Sequence, residues 1–245
     1  MRLAILADIH GNLDALEAVL TDLRGRQVDR VFVLGDHASG PLDPIGTLDR
    51  LMALGGDVQF LRGNHDRWLI ERALEAMGPS DAQTLPLLSQ HHLDWLKALP
   101  PTLALEDVFA CHGTPQSDTT YWLEKVSAEG VVHPRALGEI EALAADAVPS
   151  EGAGPALLLC GHTHLPRAVA LRDGRMVVNP GSVGLPGYDD DSPVPHVMQT
   201  GVPHASYAVV ERSAESMLGR AWSVVFHLVP YNAEPMAQRA EENGR

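Results

Sequence analysis

The first third of the chain alternates short apolar runs with apolar residues at helical spacing. Residues 3–7 predict a buried strand, and leucine and valine then recur every three or four positions over residues 13–23. Residues 31–34 predict a second strand, residues 43–52 a second helix and residues 58–61 a third strand. This order predicts parallel strands that are joined by right-handed crossovers.

The remaining two thirds of the chain begin with helical patterns and end with strand patterns. Residues 67–98 are predicted to be mostly helical with a break near Gly78-Pro79, and residues 134–147 predict a further helix. Residues 185–205 are rich in proline, glycine and aspartate, which predicts a long loop. The other segments predict strands that pair mostly in antiparallel fashion, namely residues 103–105, 108–111, 156–160, 168–171, 176–178, 207–210 and 222–229. Together these elements predict two sheets packed face to face between outer helices.

The length and the apolar content of the chain predict one domain. Its 245 residues are 45% hydrophobic, which is enough to build one sizeable core. No internal repeat or Ser/Gly-rich linker divides the sequence. We therefore expect a single domain over residues 1–245, with a loosely ordered tail over residues 230–245.

The net charge restricts the partners that the protein could bind. Aspartate and glutamate outnumber lysine and arginine by 32 to 18, which gives a formal net charge of −14. An acidic surface repels nucleic acid and anionic membranes, and no basic run offsets the repulsion. We therefore expect neither long nucleic acid nor a membrane among the partners. The composition does not predict an oligomeric state.

Two features of the sequence favour a cytoplasmic location. The longest apolar run near the N-terminus, residues 3–7, is too short for a signal peptide or a membrane span. Cys111 and Cys160 are the two cysteines, and an isolated pair without a secretory signal is usually reduced. We expect both thiols to be free and buried in strands.

Acidic, amide and imidazole side chains follow most of the predicted strands. They occur in six short segments: Asp8-Ile9-His10, Gly35-Asp36, Gly63-Asn64-His65-Asp66, His112-Gly113, Gly161-His162-Thr163-His164 and Asn179-Pro180-Gly181-Ser182. Residues at the carboxyl ends of neighbouring strands converge in space even when they are far apart in sequence. The sequence therefore predicts that two carboxylates, one amide and up to five imidazoles meet at one rim of a sheet.

This combination of side chains suits transition-metal ions. Neutral imidazole with carboxylate favours manganese, iron, cobalt, nickel or zinc, and the absence of thiolate argues against a structural zinc site. A carboxylate can bridge two cations, and two divalent cations with Asp8, Asp36 and a shared hydroxide form a centre with a charge of about +1. Such a centre attracts a phosphate oxygen. We therefore expect two divalent transition-metal ions, with manganese favoured, and a small phosphate-ester substrate.

The order of these segments resembles that of the calcineurin-like metallophosphoesterases. The resemblance covers residues 3 to about 184 and is closest to the small bacterial and archaeal phosphodiesterase-type branch. It implies a four-layer α/β/β/α sandwich of two mixed sheets with outer helices. The Ser/Thr protein phosphatase branch has Asp-Arg-Gly soon after its Gly-Asp and glutamate after its Asn-His. Here residues 35–40 read Gly-Asp-His-Ala-Ser-Gly and Asp66 follows His65, so a phosphoprotein substrate is disfavoured.

The resemblance also implies a role for each site residue. Its metal ligands are Asp8, His10 and His164 for the first ion, and Asn64, His112 and His162 for the second. Asp36 would bridge the two ions, and a hydroxide that bridges the ions would attack phosphorus in line. His65 would protonate the leaving-group oxygen or stabilise its charge, and Asp66 would orient His65 through the other ring nitrogen.

Several alternatives stay open at this point. Hydrolysis of a small phosphodiester or nucleotide is favoured, a phosphomonoesterase on the same scaffold is the main rival, and a non-catalytic metal-binding scaffold is a weaker one. Tyr121 and Trp122 either form an aromatic wall beside the site or anchor the neighbouring structure. His37 is expected to be a loop histidine, with contact to the substrate as the alternative. Residues 179–182 are expected to shape the edge of the site.

Overall fold

The computed structural model describes residues 1–40, 42–147, 154–212 and 222–244. Its α-helices are α1 (Leu13–Leu23), α2 (Pro44–Met52), α3 (Asn64–Glu71), α4 (Pro79–Thr84), α5 (Gln90–Ala98), α6 (Leu137–Ala144) and α7 (Glu234–Glu242). Its strands are β1 (Arg2–Leu6), β2 (Arg30–Val33), β3 (Val58–Phe60), β4 (Thr102–Leu105), β5 (Val108–Cys111), β6 (Glu124–Val126), β7 (Val132–Pro134), β8 (Leu157–Leu159), β9 (Arg167–Ala170), β10 (Met176–Asn179), β11 (Gly187–Asp190), β12 (His196–Gln199), β13 (Ala205–Arg212) and β14 (Trp222–Val229). Short 3-10 helices lie at Leu74–Ala76, Leu85–Leu87 and Ala145–Ala147. No helix within the described ranges is both long and apolar enough to cross a bilayer.

Two five-stranded mixed sheets form the centre of the described part of the chain. The first sheet has the order β14-β13-β1-β2-β3, in which β1, β2 and β3 are parallel and β13 and β14 run antiparallel to their neighbours. The second sheet has the order β4-β5-β8-β10-β9, in which β5, β8 and β10 are parallel and the two edge strands are antiparallel. With helices on both outer faces, the expected four-layer sandwich is confirmed.

Side-chain alternation along β1 separates the central core from the face under the helices. Leu3 and Ile5 pack with Leu157 of β8 in the core between the two sheets. Leu6, on the opposite face of β1, packs with Leu16 of α1. The helix α6 covers the outer face of the second sheet in the same way. The polar turns at the strand ends therefore lie at the rim of a closely packed interior.

Side-chain caps start the helices that follow β1 and β2. Asn12 accepts a hydrogen bond from the backbone N–H of Ala15 at 3.1 Å, which starts α1. Asp43 accepts one from the N–H of Gly46 at 3.0 Å and starts α2, with Pro44 at its first position. Because each helix begins only after its cap, the residues between strand and cap are left as turns.

The structure differs from the sequence expectations at three points. Residues 185–205, expected to be a loop, contain the hairpin of β11 and β12, whose strands of four residues are too short to show a clear pattern. The helix expected over residues 134–147 begins at Leu137, because Val132–Pro134 pairs with β6. The second sheet is not mostly antiparallel, since its three central strands are parallel.

The two cysteines are in the state that the sequence predicts. Cys111 and Cys160 are free and buried, as expected, and burial raises the pKa of both thiols.

In the C-terminal segment, Arg239 of α7 lies 3.3 Å from the Asp43 carboxylate. The single domain over residues 1–245 and the loosely ordered tail over residues 230–245 stay predictions.

Candidate metal centre

The turns that follow parallel strands of both sheets meet at one edge of the sandwich. The turn after β1 binds the turn after β2, because the Asp8 N–H donates to the Gly35 carbonyl at 3.1 Å. The turn after β8 binds the turn after β5, because the Gly161 N–H donates to the His112 carbonyl at 2.7 Å. The Ser182 hydroxyl joins the two sheets by donating to the Asp8 carbonyl at 2.6 Å. These bonds fix the relative positions of the side chains that the turns carry.

Two groups of three side chains present possible metal-binding atoms, which within each group lie within 4.8 Å of one another. The groups are Asp8, His10 and His164, and Asp36, His112 and His162. Asp36 stands between them, since its Oδ2 lies 3.1 Å from His112 Nε2 and 3.8 Å from His10 Nε2. The structure therefore brings together six of the seven ligand residues that the sequence pattern suggests.

Asn64, the seventh of these residues, begins α3 at the same edge and is buried. Its Oδ1 has no hydrogen-bond partner among the described residues. A buried polar atom without a partner costs free energy, and an amide oxygen is of a type that binds cations. The residues at this edge therefore fit a bound metal ion.

Five of these residues have a left-handed backbone conformation. The φ angle is 56° at Asp8, 50° at His10, 53° at Asp36, 70° at His162 and 60° at His164. This conformation is uncommon for residues other than glycine and costs roughly 1–3 kcal/mol each. Such strain persists where the surrounding structure forces a side chain into one direction. Here the left-handed backbone directs five side chains towards the same edge of the sandwich.

Backbone carbonyls fix the ring orientation of three imidazoles. The Nδ1 atoms of His10, His112 and His164 lie 2.7, 2.7 and 2.6 Å from the carbonyl oxygens of Ser39, Leu34 and Leu185. A carbonyl oxygen only accepts, so each Nδ1 carries a hydrogen, and a ring that is neutral presents its Nε2 lone pair. This is the tautomer that a metal ligand bound through Nε2 requires.

Burial and mutual charge shift the pKa values in this cluster. Burial raises the pKa of Asp8 to about 8, against the lowering influence of His112. Burial alone would lower the pKa of His112, but the carboxylates of Asp36 and Asp8 outweigh it and raise that pKa to about 10. Burial lowers the pKa of His162 to about 3. The metal-free cluster therefore carries protons on Asp8 and His112 at neutral pH.

His65 stands beside the two groups and is held by Asp81. Its Nδ1 lies 2.7 Å from Asp81 Oδ1 of α4, and its ring centroid lies 5.4 Å from that of His10. Burial alone would lower the pKa of His65, but the charges of Asp36 and Asp81 outweigh it and raise the pKa. In the described part of the chain, no hydrogen-bond partner occupies its Nε2. His65 therefore presents a free Nε2 next to the cluster.

Asp66 does not orient His65, and that expectation is wrong. Its carboxylate accepts hydrogen bonds from the backbone N–H groups of Asp36, His37 and Gly63, and from His37 Nδ1 at 2.8 Å. The reason is geometric, because adjacent residues on a helix do not face each other. His37 lies in the loop after β2, as expected, and it is buried under the site, where it cannot reach a substrate.

Comparison with known proteins identifies the family. A family model described as the calcineurin-like phosphoesterase superfamily domain matches residues 1–211. The chain belongs to this superfamily. It is therefore a metallophosphoesterase, a hydrolase that acts on phosphate esters, and the resemblance that the sequence motifs suggest is confirmed.

The chain is similar to individual proteins and solved structures from several organisms. A metallophosphoesterase structure from Sphaerobacter thermophilus is 27% identical with a TM-score of 0.71, and the match covers 100% of this chain and 95% of that chain. An uncharacterized protein from Methanocaldococcus jannaschii is 26% identical over 209 residues, which are 75% of this chain and 76% of the relative. A symmetrical bis(5'-nucleosyl)-tetraphosphatase from an Acidovorax species is 35% identical over 106 residues, which are 41% of this chain and 38% of the relative.

The aromatic residues near the centre of this phosphoesterase have two different roles. The Tyr121 ring lies 5.1 Å from that of His162, whereas Trp122 is buried in the core under the second sheet. Tyr188, from the hairpin of β11 and β12, lies with its ring 4.6 Å from that of His164. Its hydroxyl donates to the His162 carbonyl at 3.1 Å. Tyr121 and Tyr188 therefore line the site, and Trp122 is an anchor.

Sequence patterns did not identify Asp81, Ser39 or Tyr188 as site residues. Asp81 lies in the first turn of α4, where an acidic residue is explained by the helix dipole alone. Tyr188 lies in the segment expected to be a loop. Asn179, which was expected to shape the edge of the site, donates to the Gly161 carbonyl at 2.7 Å. No motif of fixed spacing connects the missed residues to the metal-binding segments.

Proposed function

We propose that this phosphoesterase uses two divalent transition-metal ions to hydrolyse a small phosphodiester or a nucleotide. One observation carries the proposal: two groups of ligand atoms lie side by side, and the Asp36 carboxylate is within 3.8 Å of an imidazole from each group. One group would suit a single cation. Two groups joined by a shared carboxylate suit a pair of cations and the displacement at phosphorus that such a pair promotes.

The proposed ligands use the side chains of both groups and Asn64. They are Asp8, His10 and His164 for one ion, and Asn64, His112 and His162 for the other. Asp36 is proposed to be the shared ligand, since its Oδ2 lies near an imidazole of each group while its Oδ1 accepts from the His65 N–H. Manganese is favoured over iron, cobalt, nickel and zinc because carboxylate and amide oxygens accompany the imidazoles in this set.

The proposed reaction is in-line displacement at phosphorus by a hydroxide. Bound cations would supply Lewis acidity at the phosphoryl oxygens and would acidify water. The chain orients the reaction through imidazoles whose rings are fixed at Nδ1 by backbone carbonyls. His65 is proposed to give its Nε2 proton to the leaving oxygen as the bond between that oxygen and phosphorus breaks.

Three observations support a small phosphodiester or nucleotide as the substrate. A net charge of −14 disfavours long nucleic acid. Tyr121 and Tyr188 offer aromatic surface beside His162 and His164, against which a nucleoside can pack. The partial similarity to a protein named as a bis(5'-nucleosyl)-tetraphosphatase also favours a nucleotide. The cytoplasmic location and the lack of nucleic-acid and membrane partners stay predictions.

Metal analysis of Asp36→Asn tests the dinuclear centre. We expect the wild type, purified with manganese, to retain about two equivalents, and the variant to lose metal together with more than about 100-fold of its phosphodiesterase rate. Asparagine keeps the shape of aspartate but cannot neutralise two cations. Asp94→Asn, at an exposed position of α5, is the matched control and should keep both metal and activity. One equivalent in the wild type, or full metal in Asp36→Asn, contradicts the proposal.

Substitution of His65 tests the leaving-group step separately. We expect His65→Ala to keep its metal content and to lose turnover by about 100-fold or more, because general acid catalysis is removed while the ligands remain. Metal analysis and steady-state rates on the same preparation check both parts. Wild-type turnover would exclude His65 from the mechanism.

Rates on three substrates separate a phosphodiester or nucleotide hydrolase from a phosphomonoesterase. We expect bis(p-nitrophenyl) phosphate and a dinucleoside tetraphosphate to be hydrolysed with higher kcat/KM than p-nitrophenyl phosphate. The opposite order would identify a phosphomonoesterase on the same scaffold.

A further inference from the structure

Asp81 of α4 is buried against His65. The Asp81 residue is 1% exposed, and its Oδ1 lies 2.7 Å from His65 Nδ1. A buried carboxylate needs a hydrogen-bond donor and a compensating positive charge. The His65 Nδ1–H supplies such a donor at hydrogen-bond distance, so the ring and the carboxylate hold each other in place.

Asp81 is held in place by the turn that follows β2. Ser39 Oγ donates a hydrogen bond to Asp81 Oδ1. Thr84, one turn further along α4, exchanges hydrogen bonds of 3.2 Å with the backbone of Gly40. The carbonyl of Ser39 also binds His10 Nδ1 at 2.7 Å. Asp81 is therefore fixed relative to the same turn that orients a candidate metal ligand.

We propose that Asp81 is the positioning residue for His65, binding its Nδ1–H so that the Nε2–H faces the leaving-group oxygen. The proposal rests on the proposed role of His65 in the same site. With Nδ1 bound to Asp81, the ring cannot rotate to offer that nitrogen to the substrate, so Nε2 stays on the side of the metal-binding groups. Asp66 cannot take this role, because its carboxylate is occupied by His37 and by backbone N–H groups.

Rates on two phosphodiesters with different leaving groups test the role. A p-nitrophenolate leaves with little protonation, whereas an alkoxide needs a proton as its bond to phosphorus breaks. We expect Asp81→Asn to lower kcat on an alkyl diester by roughly 10- to 100-fold and to lower kcat on bis(p-nitrophenyl) phosphate by less, with KM and metal content unchanged. Asp94→Asn is the matched control and should match the wild type on both diesters.

Two further variants separate positioning from a loss of stability. Asp81→Glu keeps the charge and should recover part of the alkyl-diester rate that Asp81→Asn loses. In the double variant, adding Asp81→Asn to His65→Ala should cause no further loss, because the effect of Asp81 passes through His65. Fully additive losses, or no recovery in a folded Asp81→Glu, would overturn the proposal.

A spectroscopic measurement is independent of turnover. In Zn²⁺-loaded protein labelled with ¹⁵N-histidine, a proton on His65 Nδ1 that is held by a buried carboxylate should give a downfield resonance in slow exchange with water. Its absence in His65→Ala assigns the resonance. We expect it to disappear in Asp81→Ala and to persist in Asp94→Asn, and its persistence in Asp81→Ala would overturn the proposal.

Failure of the proposed function gives a different result from failure of this inference. If His65→Ala hydrolyses alkyl diesters at the wild-type rate, His65 takes no part in the chemistry, and its proposed role and the assignment of Asp81 both fail, while the proposed metal centre is still decided by Asp36→Asn. If His65→Ala is slow while Asp81→Asn matches the wild type on both diesters, only the assignment of Asp81 fails.

Discussion

At the scale of single residues, two glycines allow the turns after β2 and β3 to approach each other. A Cβ on Gly63 would lie 2.6 Å from the Asp36 backbone nitrogen and closer still to Asp36 Oδ1. A Cβ on Gly35 would lie 2.6 Å from the Gly63 Cα and 2.9 Å from His112 Nδ1. The Asp36 carboxylate therefore occupies its position because neither neighbour has a side chain.

Replacement of Gly63 by alanine should disturb the centre through steric contact alone. The φ angle of Gly63 is −89°, which alanine adopts without strain, so the added methyl group is the only change. We expect Gly63→Ala to displace Asp36, to lower the metal content and the activity together, and to cost about 1–3 kcal/mol of stability. Metal analysis, phosphodiesterase rates and urea unfolding measure the three effects.

Gly78→Ala is the matched control for this substitution. Gly78 precedes α4 with a φ of −66°, and a Cβ there meets no atom of the described residues within 4 Å. We expect this variant to keep its metal and its activity. Equal behaviour of the two variants would show that the close approach at Gly63 does not position Asp36.

At the scale of secondary-structure elements, the cap of α1 also connects distant segments. Asn12 Oδ1 accepts from the Ala15 N–H, and its Nδ2 donates to the Gly184 carbonyl at 2.9 Å and to the Tyr231 hydroxyl at 3.0 Å. Among the described residues, the hydroxyl of Ser89, which caps α5, accepts only from its own helix, from the N–H of His92. The first cap therefore contributes to tertiary structure and the second does not.

The two caps should differ in the stability that they contribute. We expect Ser89→Ala to lower the free energy of unfolding by roughly 1 kcal/mol, the usual value of a lost cap. Asn12→Ala should cost about 1–3 kcal/mol more, because it also leaves the buried Gly184 carbonyl without its donor. Urea unfolding of both variants checks the difference, and equal losses would contradict it.

The helical segment between β3 and β4 shows how an element can contribute to the site without a recognisable motif. Its periodicity predicts helices, and α3, α4 and α5 are present with the expected break before α4. The same pattern does not indicate that Asp81 contacts His65, because that contact depends on how α4 docks on the Ser39 turn.

At the scale of the whole molecule, metal binding should depend on pH. In the metal-free protein, the pKa of Asp8 is about 8 and that of His112 is about 10. Both groups are therefore protonated at pH 7, and a metal ligand must be deprotonated. Binding must release these protons, so we expect the affinity for Mn²⁺ to rise between pH 6 and pH 8 and to fall on acidification.

Calorimetry in two buffers with different heats of ionisation measures the released protons. A saturating metal concentration should also raise the Tm, since a hundredfold excess over Kd corresponds to about 2.7 kcal/mol of stabilisation. Asp36→Asn should show a smaller rise. An affinity that stays constant over this pH range would show that the cluster is already deprotonated without metal.

The strand–helix order of the first sheet and the polar segments at the strand ends follow from the amino-acid sequence alone. Both are properties of local patterns, since apolar periodicity decides which face is buried and parallel strands place their carboxyl ends at a common edge. The two-sheet architecture and the six grouped candidate ligands follow from these patterns together with the resemblance to the family.

The hydrogen-bond partner of each site residue, in contrast, follows from the packing of the folded chain. Asp81 rather than Asp66 holds His65, Asp66 instead binds His37 below the site, and Tyr188 reaches the centre from a hairpin expected to be a loop. The physical reason is that such contacts join side chains from different turns through a single hydrogen bond. Their geometry is set by how whole elements pack, and it leaves no periodic pattern in the chain.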